Sequence, residues 1–474
     1  MTDSGDARDR GPLSWLRHVL SSRRLRPQSV RPSKDAVEAA TLRVQIQILQ
    51  DAFERAGDKV AVARRRDGGL AYLYHPTRAL VHADDVAEVE GFFAERGDVY
   101  QDTGRPEVVI DDALVRYHFP ARHDGGVALL KDLDELDREV REGVATPDHV
   151  LYVTPRGSAC PASEPVIPAG ASPVPALNRN PGAGKGVRVS VVDTGWYSPA
   201  AKHPSTDWIA SGVEGDEEQL EMDGTTTVIH EYAGHGTFVS GIVKCLAPAT
   251  DIEVEGFLTK GGAIWESEIA EQLNEAMLDH EDDPATRELD PKAPDIISIS
   301  AGTHTRKNLP LLGFQVLGAI FKWDQDEVGP LVVAAAGNDS SKEEFWPAAF
   351  DWVLSVGSLD ADGKRSDFSN FGDWVKVWAL GRDLVNAFPS GEYTYVEPKS
   401  GKLLGTKQAF DGLAQWSGTS FATPVVTGAI AAYMTEHDCS AREARDALIG
   451  KPHVVQDPTL GALTALGPPF VPQP

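Results

Sequence analysis

Asp193, His235, Asn338 and Ser420 each stand where one element gives way to the next, and together they hold the parts that serine chemistry requires. A serine hydroxyl attacks a carbonyl only weakly until a neighbouring imidazole takes its proton. The imidazole needs a carboxylate that fixes its tautomer and stabilises the cation that forms. The developing oxyanion needs donors already in place, and a carboxamide with a backbone N–H supplies them. Each residue alone has a plainer reading. An aspartate after a strand is commonly a turn residue. The stretch SGTSFATP (417–424) is a good helix start, its hydroxyls capping free amides and Pro424 sitting in the first turn. By that local reading Ser420 is a cap.

The elements that would gather the four residues are read from the apolar pattern. From residue 187 onward, strand-like runs at 187–193, 251–258, 296–301 and 331–338 alternate with helical patterns at 235–246, 264–278 and 311–323. Near-continuous apolar strands between helices predict an α/β fold, a mainly parallel sheet with helices on both faces. In such sheets chemistry sits at the carboxyl ends of the strands. Asp193 and Asn338 end two of these strands, while His235 and Ser420 open helices, with Gly234 and Gly236 leaving room around the imidazole.

Ahead of this region, residues 156–186 are poor in charge and rich in Pro, Gly, Ala and Ser, the composition of an extended, exposed linker. Residues 35–155 read as a small α+β domain. A helical stretch at 35–66 is followed by a strand at 79–82 and a helix at 84–96 with Val86, Val89, Phe92 and Phe93 on one face. A strand at 108–119, a helix at 126–144 and a strand at 150–154 complete a split-βαβ order. Residues 1–34 are a basic, disordered arm. Arg17 and His18 interrupt its only apolar run, so no export signal is read and a cytoplasmic location is expected. Residues 453–474 read as a tail, and no segment has the length of a transmembrane helix.

A chain of 474 residues is long enough for two domains. Its net charge of −26 argues against a nucleic-acid backbone as partner, and no membrane partner is expected. Cys160, Cys245 and Cys439 are widely separated and odd in number, so neither a disulfide framework nor a metal spacing is present. Cys245 and Cys439 lie in apolar helical patterns and are expected to be buried thiols.

Four blocks, VVDTG (191–195), GHGTFVSGI (234–242), AAAGN (334–338) and SGTSFATP (417–424), resemble those of the subtilisin-type serine peptidases, the subtilases. The chain order Asp, His, Ser is the subtilisin order. WPAAFDWVLSVGS (346–358), SDFSNFG (366–372) and VKVWALG (375–381) are similar as well, and the likeness covers residues 180–452. It implies an endopeptidase that hydrolyses protein or peptide substrates through an acyl-enzyme. Asp193 would orient His235, His235 would act as base and then acid, and Ser420 would be the nucleophile. Asn338 and the Ser420 N–H would form the oxyanion hole. Ser300, Ala301 and Gly302 would line one side of the groove and Thr259, Lys260, Gly261 and Gly262 the other, a substrate pairing there as an added strand.

The same resemblance requires no cofactor for chemistry but makes structural calcium an option. An acidic loop carries Glu214, Asp216, Glu217, Glu218, Glu221 and Asp223. A solvated face, a calcium site and selection of basic substrates are its three readings. Glu343 and Glu344 fall where the family builds its specificity pocket, which implies Arg or Lys at the cleaved position. Phe238 and Phe421 replace a frequent histidine and methionine of the family, at packing positions, and a second insertion spans 382–415. Many subtilases carry an N-terminal propeptide that blocks the groove until it is cut off, and residues 70–155 resemble one in position and pattern. A permanent regulatory domain is the other reading. A second function class is a catalytically silent protein that keeps the groove as a peptide-binding surface.

Overall fold

Short runs of valine and isoleucine form the centre of the molecule, as β-branched side chains fit a sheet that is buried on both faces. The computed structural model describes residues 33–96, 105–120, 125–153, 163–283, 288–289, 293–325, 329–450, 453–457 and 460–466. Most of the basic arm, Cys160, the start of the linker and the end of the tail lie outside the described residues.

The N-terminal region comprises α1 (Lys34–Arg55), β1 (Ala61–Arg64), β2 (Leu70–His82), α2 (Val86–Glu95), β3 (Glu107–Ile110), β4 (Leu114–His118), α3 (Val127–Glu139) and β5 (Ala145–Tyr152). All its strand pairs are antiparallel. Four boundaries differ from the sequence reading, and the strand expected at 79–82 already begins at Leu70. The helical stretch stops at Arg55, and 61–64 turns back as a strand on β2. The run 108–119 is a hairpin, broken where Asp112 takes φ 55°. After α3 the chain turns at Gly143 (φ 77°), so the last strand starts at Ala145, which packs in the same core as Val81 and Leu133.

The larger region begins with β6 (Arg188–Val192) and the short β7 (Val213–Gly215), β8 (Glu221–Asp223) and β9 (Thr226–Ile229). Next come α4 (His235–Leu246), β10 (Asp251–Glu255), β11 (Ala263–Trp265) and α5 (Glu266–Leu278). A small hairpin, β12 (Glu281–Asp283) and β13 (Glu288–Leu289), leads to β14 (Ile296–Ile299), α6 (Leu312–Ile320), β15 (Leu331–Ala335), β16 (Leu354–Leu359) and β17 (Val377–Leu380). The insertion holds β18 (Leu384–Ala387), β19 (Gly391–Thr394), β20 (Lys407–Phe410) and β21 (Leu413–Trp416). Then follow α7 (Thr419–His437), α8 (Ala441–Gly450), β22 (His453–Asp457) and β23 (Gly461–Ala465).

The main sheet runs β22-β23-β17-β16-β15-β14-β6-β10-β7 and is parallel except where β22 meets β23. Alternate residues of each strand feed opposite cores, as a period of two demands. Val189, Val191 and Ile296 pack with Phe238 of α4 and Val425 of α7. Val192, Ile297 and Val332 pack on the other face with Ile269 of α5 and Phe314 of α6. Strand order reverses at β6, which lies between β10 and β14. That reversal is a topological switch point, and a crevice opens beyond the carboxyl end of such a strand. Asp193 is the residue there.

The segment after residue 162 is not the exposed spacer its composition suggests. Val166 exchanges two backbone hydrogen bonds with Gln415, and Val174 does so with Val385. The expected tail likewise contributes β22 and β23 to the edge of the main sheet. The acidic loop and the insertion are joined, since β8, β9, β19 and β20 form one sheet.

Candidate active site

Asp193 is fixed by its backbone, its N–H donating to Glu255 O (2.9 Å) and its carbonyl accepting from Leu258 N (3.0 Å). Its buried carboxylate accepts from His235 Nδ1 at 2.7 Å (Oδ1) and 2.9 Å (Oδ2). With the proton on Nδ1, Nε2 is left as an acceptor. His235 opens α4, and a Cβ on Gly236 would lie 2.4 Å from Gly195 O, so the helix approaches the strand end that closely only with glycine there. Gly236 N donates to Thr194 Oγ1 (3.2 Å), and Gly234 N donates to Glu218 Oε2 (2.7 Å). Glu218 departs from the rest of the acidic loop, being buried beneath the strand end. Burial pushes its carboxyl up to about 8 against the bonds from Gly234 and Thr194, and the charge of Asp193 adds to the rise. No signal in the acidic run distinguishes it in sequence.

Ser420 is the second residue of α7. Its Oγ donates to Ser300 O (3.2 Å), and Ser300 Oγ donates back to Ser420 O (2.9 Å). The second bond has a cause in sequence. Pro424 has no N–H, so the carbonyl four residues earlier, that of Ser420, lacks its helical partner and takes the Ser300 hydroxyl instead. Pro424 therefore sits in the second turn of the helix, not the first as its sequence context suggests.

Asn338 follows β15. Its Oδ1 accepts from Thr419 N (2.8 Å) and Thr419 Oγ1 (3.1 Å), which identifies the other terminal atom as the amide donor. The Ser420 N–H is one of the amides that a helix start leaves without an internal partner. Thr419, which orients this carboxamide, and Ser300, which clasps Ser420, act through bonds invisible to spacing alone.

The two helix starts are held together by aromatic packing. Phe238 and Phe421, both buried, lie 4.6 Å apart between ring centroids. Phe421 also lies 5.1 Å from the His235 ring, and Trp416 packs 5.5 Å from it on edge. Burying each ring contributes about 2–3 kcal/mol to holding α4 against α7. In this arrangement the Ser420 hydroxyl is bonded to Ser300 and not to His235.

The two edges expected to line a groove hold a segment of the chain itself. β5 pairs antiparallel with β11, Tyr152 facing Ala263 and Val150 facing Trp265. Val153 N donates to Gly262 O (2.9 Å). On its other side, Tyr152 exchanges two bonds of 3.2 Å with Gly302. Among the described residues none pairs with Thr259 or Lys260 in this way; Lys260 pairs instead with Glu268. Gly261 packs near Ala52 of α1.

Beside the groove the N-terminal region is anchored by polar contacts. Buried Glu266 accepts from His149 Nδ1 (2.8 Å) and from Gly313 N (3.0 Å), and His149 Nε2 accepts from Arg306 N (3.2 Å). Asp148 accepts from Ser267 N (3.0 Å) and Ser267 Oγ (2.8 Å), and burial pushes its carboxyl up to about 7. The buried Arg306 guanidinium pairs with Asp134 and with Asp137 (2.8 Å). Gln45 of α1 and Tyr232 both donate to Glu397 of the insertion, at 2.9 Å and 3.0 Å.

Glu343 and Glu344 do not converge on the groove: Glu343 pairs with Arg65, and Glu344 accepts from Asn308 Nδ2. Cys245 is buried, its thiol pushed up to about 12 by burial, whereas Cys439 is only half-buried. Among the described residues no three His, Cys, Asp or Glu side chains converge as a metal site requires, and no helix is long and apolar enough to cross a membrane.

A parallel α/β sheet with its polar residues gathered beyond the switch-point strand defines the class of fold. The profile described as "Subtilase family" matches residues 184–460, more than half of the chain, and the chain belongs to that family. It is 30% identical over 262 residues to the intracellular serine protease of Paenibacillus polymyxa, covering 52% of this chain and 66% of the relative. It is 28% identical to the thermophilic serine proteinase of Bacillus sp. (strain AK1), covering 56% of this chain and 55% of the relative. The matched stretches thus span less than two thirds of those relatives. Among solved structures, a cold adapted subtilisin-like serine proteinase aligns with 22% identity and a TM-score of 0.43, covering 61% of this chain and 92% of the other.

Proposed function

We propose that the chain is a serine endopeptidase that cuts protein or peptide substrates, and that its own N-terminal region holds it latent. The observation that carries the chemistry is the paired Asp193–His235 couple beside Ser420, with Asn338 oriented by Thr419. Ser420 Oγ attacks the substrate carbonyl carbon while its proton passes to His235 Nε2. The oxyanion that forms accepts from Asn338 Nδ2 and the Ser420 N–H. The C–N bond breaks as His235 gives the proton to the departing amine, and water, activated by His235, then hydrolyses the acyl-enzyme. This sequence needs the Ser420 hydroxyl to rotate from Ser300 toward His235.

Latency is supported by the groove, where residues 150–153 take the place of an added substrate strand between Gly262 and Gly302. Intracellular residence is part of the same proposal, by analogy with the relative from Paenibacillus polymyxa. A fluorophosphonate probe tests the chemistry: it forms a bond from phosphorus to Ser420 Oγ and expels fluoride. Mass spectrometry is expected to find the adduct on Ser420 in wild type and none in Ser420→Ala. A second reading, a silent peptide-binding protein, draws on the Ser420–Ser300 bond. Complete absence of the adduct after long incubation would favour it.

A further inference from the structure

Beside the groove, the space between Gly302 and Gly337 is occupied by an aromatic ring, and this decides which residue can be presented to Ser420. A strand laid on Ser300–Gly302 as Tyr152 is laid has one residue facing Gly302. Antiparallel partners run in opposite directions, so the residue two further on faces Ser300. The Ser300 carbonyl is 3.2 Å from Ser420 Oγ, so that residue offers its carbonyl to the hydroxyl. Residues two apart point to the same face of a strand. Its side chain therefore leaves on the side that Tyr152 takes, and the Tyr152 ring meets Phe345 edge-on at 6.4 Å.

Phe345 fills the room a side chain would enter. A Cβ built on Gly302 would lie 2.4 Å from the Phe345 ring, and one built on Gly337 would lie 3.0 Å from it. One glycine belongs to the groove edge and the other immediately precedes Asn338, so the ring spans the gap between the two walls. It is held there firmly. Thr303 and Trp346 exchange backbone bonds of 2.8 and 2.9 Å next to it. His304 packs on its edge at 5.3 Å, itself anchored to Glu344 O (2.9 Å) and Asp339 Oδ2 (3.2 Å). Phe345 is 4% exposed while β5 covers it, sharing a cluster with Val150 and Tyr152, so the ring already occupies this place beside the strand that lies on the edge.

We propose that Phe345 is a specificity-determining residue that plugs this pocket, so that the cleaved position accepts small side chains such as alanine, serine or glycine and rejects aromatic and long basic ones. The proposal rests on the peptidase reading above. It replaces the preference for Arg or Lys that the position of Glu343 and Glu344 suggests.

The full-length chain is incubated with three covalent probes: a small alkyl fluorophosphonate, and two peptidyl diphenyl phosphonates that differ only in an alanine-like or phenylalanine-like final residue. Intact-mass spectrometry follows each adduct with time, so labelling accumulates even if few molecules are open at once. The alanine-like probe is expected to react at least about tenfold faster than the phenylalanine-like one. Phe345→Ala is expected to reduce or invert that ratio, and Phe345→Leu supplies a milder change should the alanine variant fail to fold. Equal rates for the two peptidyl probes in wild type, whether fast or nil, overturn the plug while leaving the peptidase reading intact. Loss of the alkyl fluorophosphonate adduct itself overturns the peptidase reading instead.

Discussion

Around His235 the protein is built from apolar packing and neutral or buried hydrogen bonds; where β5 meets α5 it is built from ionisable groups brought together across a strand addition. In the first region Phe421 and Trp416 pack against the imidazole with Phe238 behind them, and the Thr194 and Thr419 hydroxyls set its neighbours. In the second, Asp148, His149, Glu266, Arg306, Asp134 and Asp137 carry the contact. A buried ion pair contributes little net stability when intact but is costly to break on one side. The first arrangement suits a site that must keep its geometry. The second suits a face that must hold and also let go, because a proton or a single lost partner changes it.

The largest effects are expected in the first region. Ser420→Ala is expected to lower peptide hydrolysis by a factor on the order of 10⁴–10⁶, and Asp193→Asn by about 10⁴, read as kcat on a peptide substrate. Asn338→Ala is expected to lower kcat by about 10²–10³ with KM little changed, since its donor matters only once the oxyanion develops. A parallel rise in KM would instead place Asn338 in substrate binding.

Variants at the covering face are expected to act in the opposite direction. His149→Ala leaves the buried Glu266 without one of its donors, a loss of about 1–3 kcal/mol. Labelling of Ser420 in the full-length chain is therefore expected to rise roughly five- to a hundredfold. No change would show that the covering strand is held by β11 pairing alone.

The remaining effect is that of pH. The Asp148 carboxyl sits at about 7 in the covered state against an ordinary 3.8, so its contribution to holding that state is complete below about 3.8. It is lost progressively as pH rises through about 7. The Ser420 labelling rate of the full-length chain is expected to climb over that window more steeply than in Asp148→Asn, whose serine chemistry has the same intrinsic pH dependence. Parallel profiles would show that Asp148 does not control release of β5.

The contrast also explains what could be read from sequence. Asp193, His235, Asn338 and Ser420 lie in contiguous blocks whose residue types are dictated by one local geometry each, and the alternating apolar pattern gives the parallel sheet that gathers them. Pro424 is harder, because whether it falls in the first or second helical turn depends on where the helix begins, and the residue just outside it is Gly418 rather than a hydroxyl cap. The covering face has no motif at all. It is made by strand pairing, which any sequence can supply through its backbone, and by ion pairs between residues more than a hundred positions apart, such as His149 and Glu266. Glu218 sits in a run of acids that look alike until one of them is buried. Phe345 reads as one more apolar residue before WPAAF, and only the two glycines it touches give it a role. The stretch after residue 162 misled by composition, since Pro and Gly do not prevent Val166 and Val174 from adding to the insertion.

The proposed covering of a competent serine site by the chain's own β5 is put to the test by charge reversal at Arg306, across that contact from Asp134 and Asp137. Arg306→Glu sets a third carboxylate against Asp134 and Asp137, and breaking a buried pair of this kind costs about 3–5 kcal/mol. The measurement is the rate of fluorophosphonate adduct formation on Ser420 in full-length wild type and in Arg306→Glu, with Ser420→Ala as the blank. Slow labelling of wild type is expected, with labelling at least about a hundredfold faster in Arg306→Glu. Equal rates in the two folded proteins, or an adduct that persists in Ser420→Ala, would contradict it.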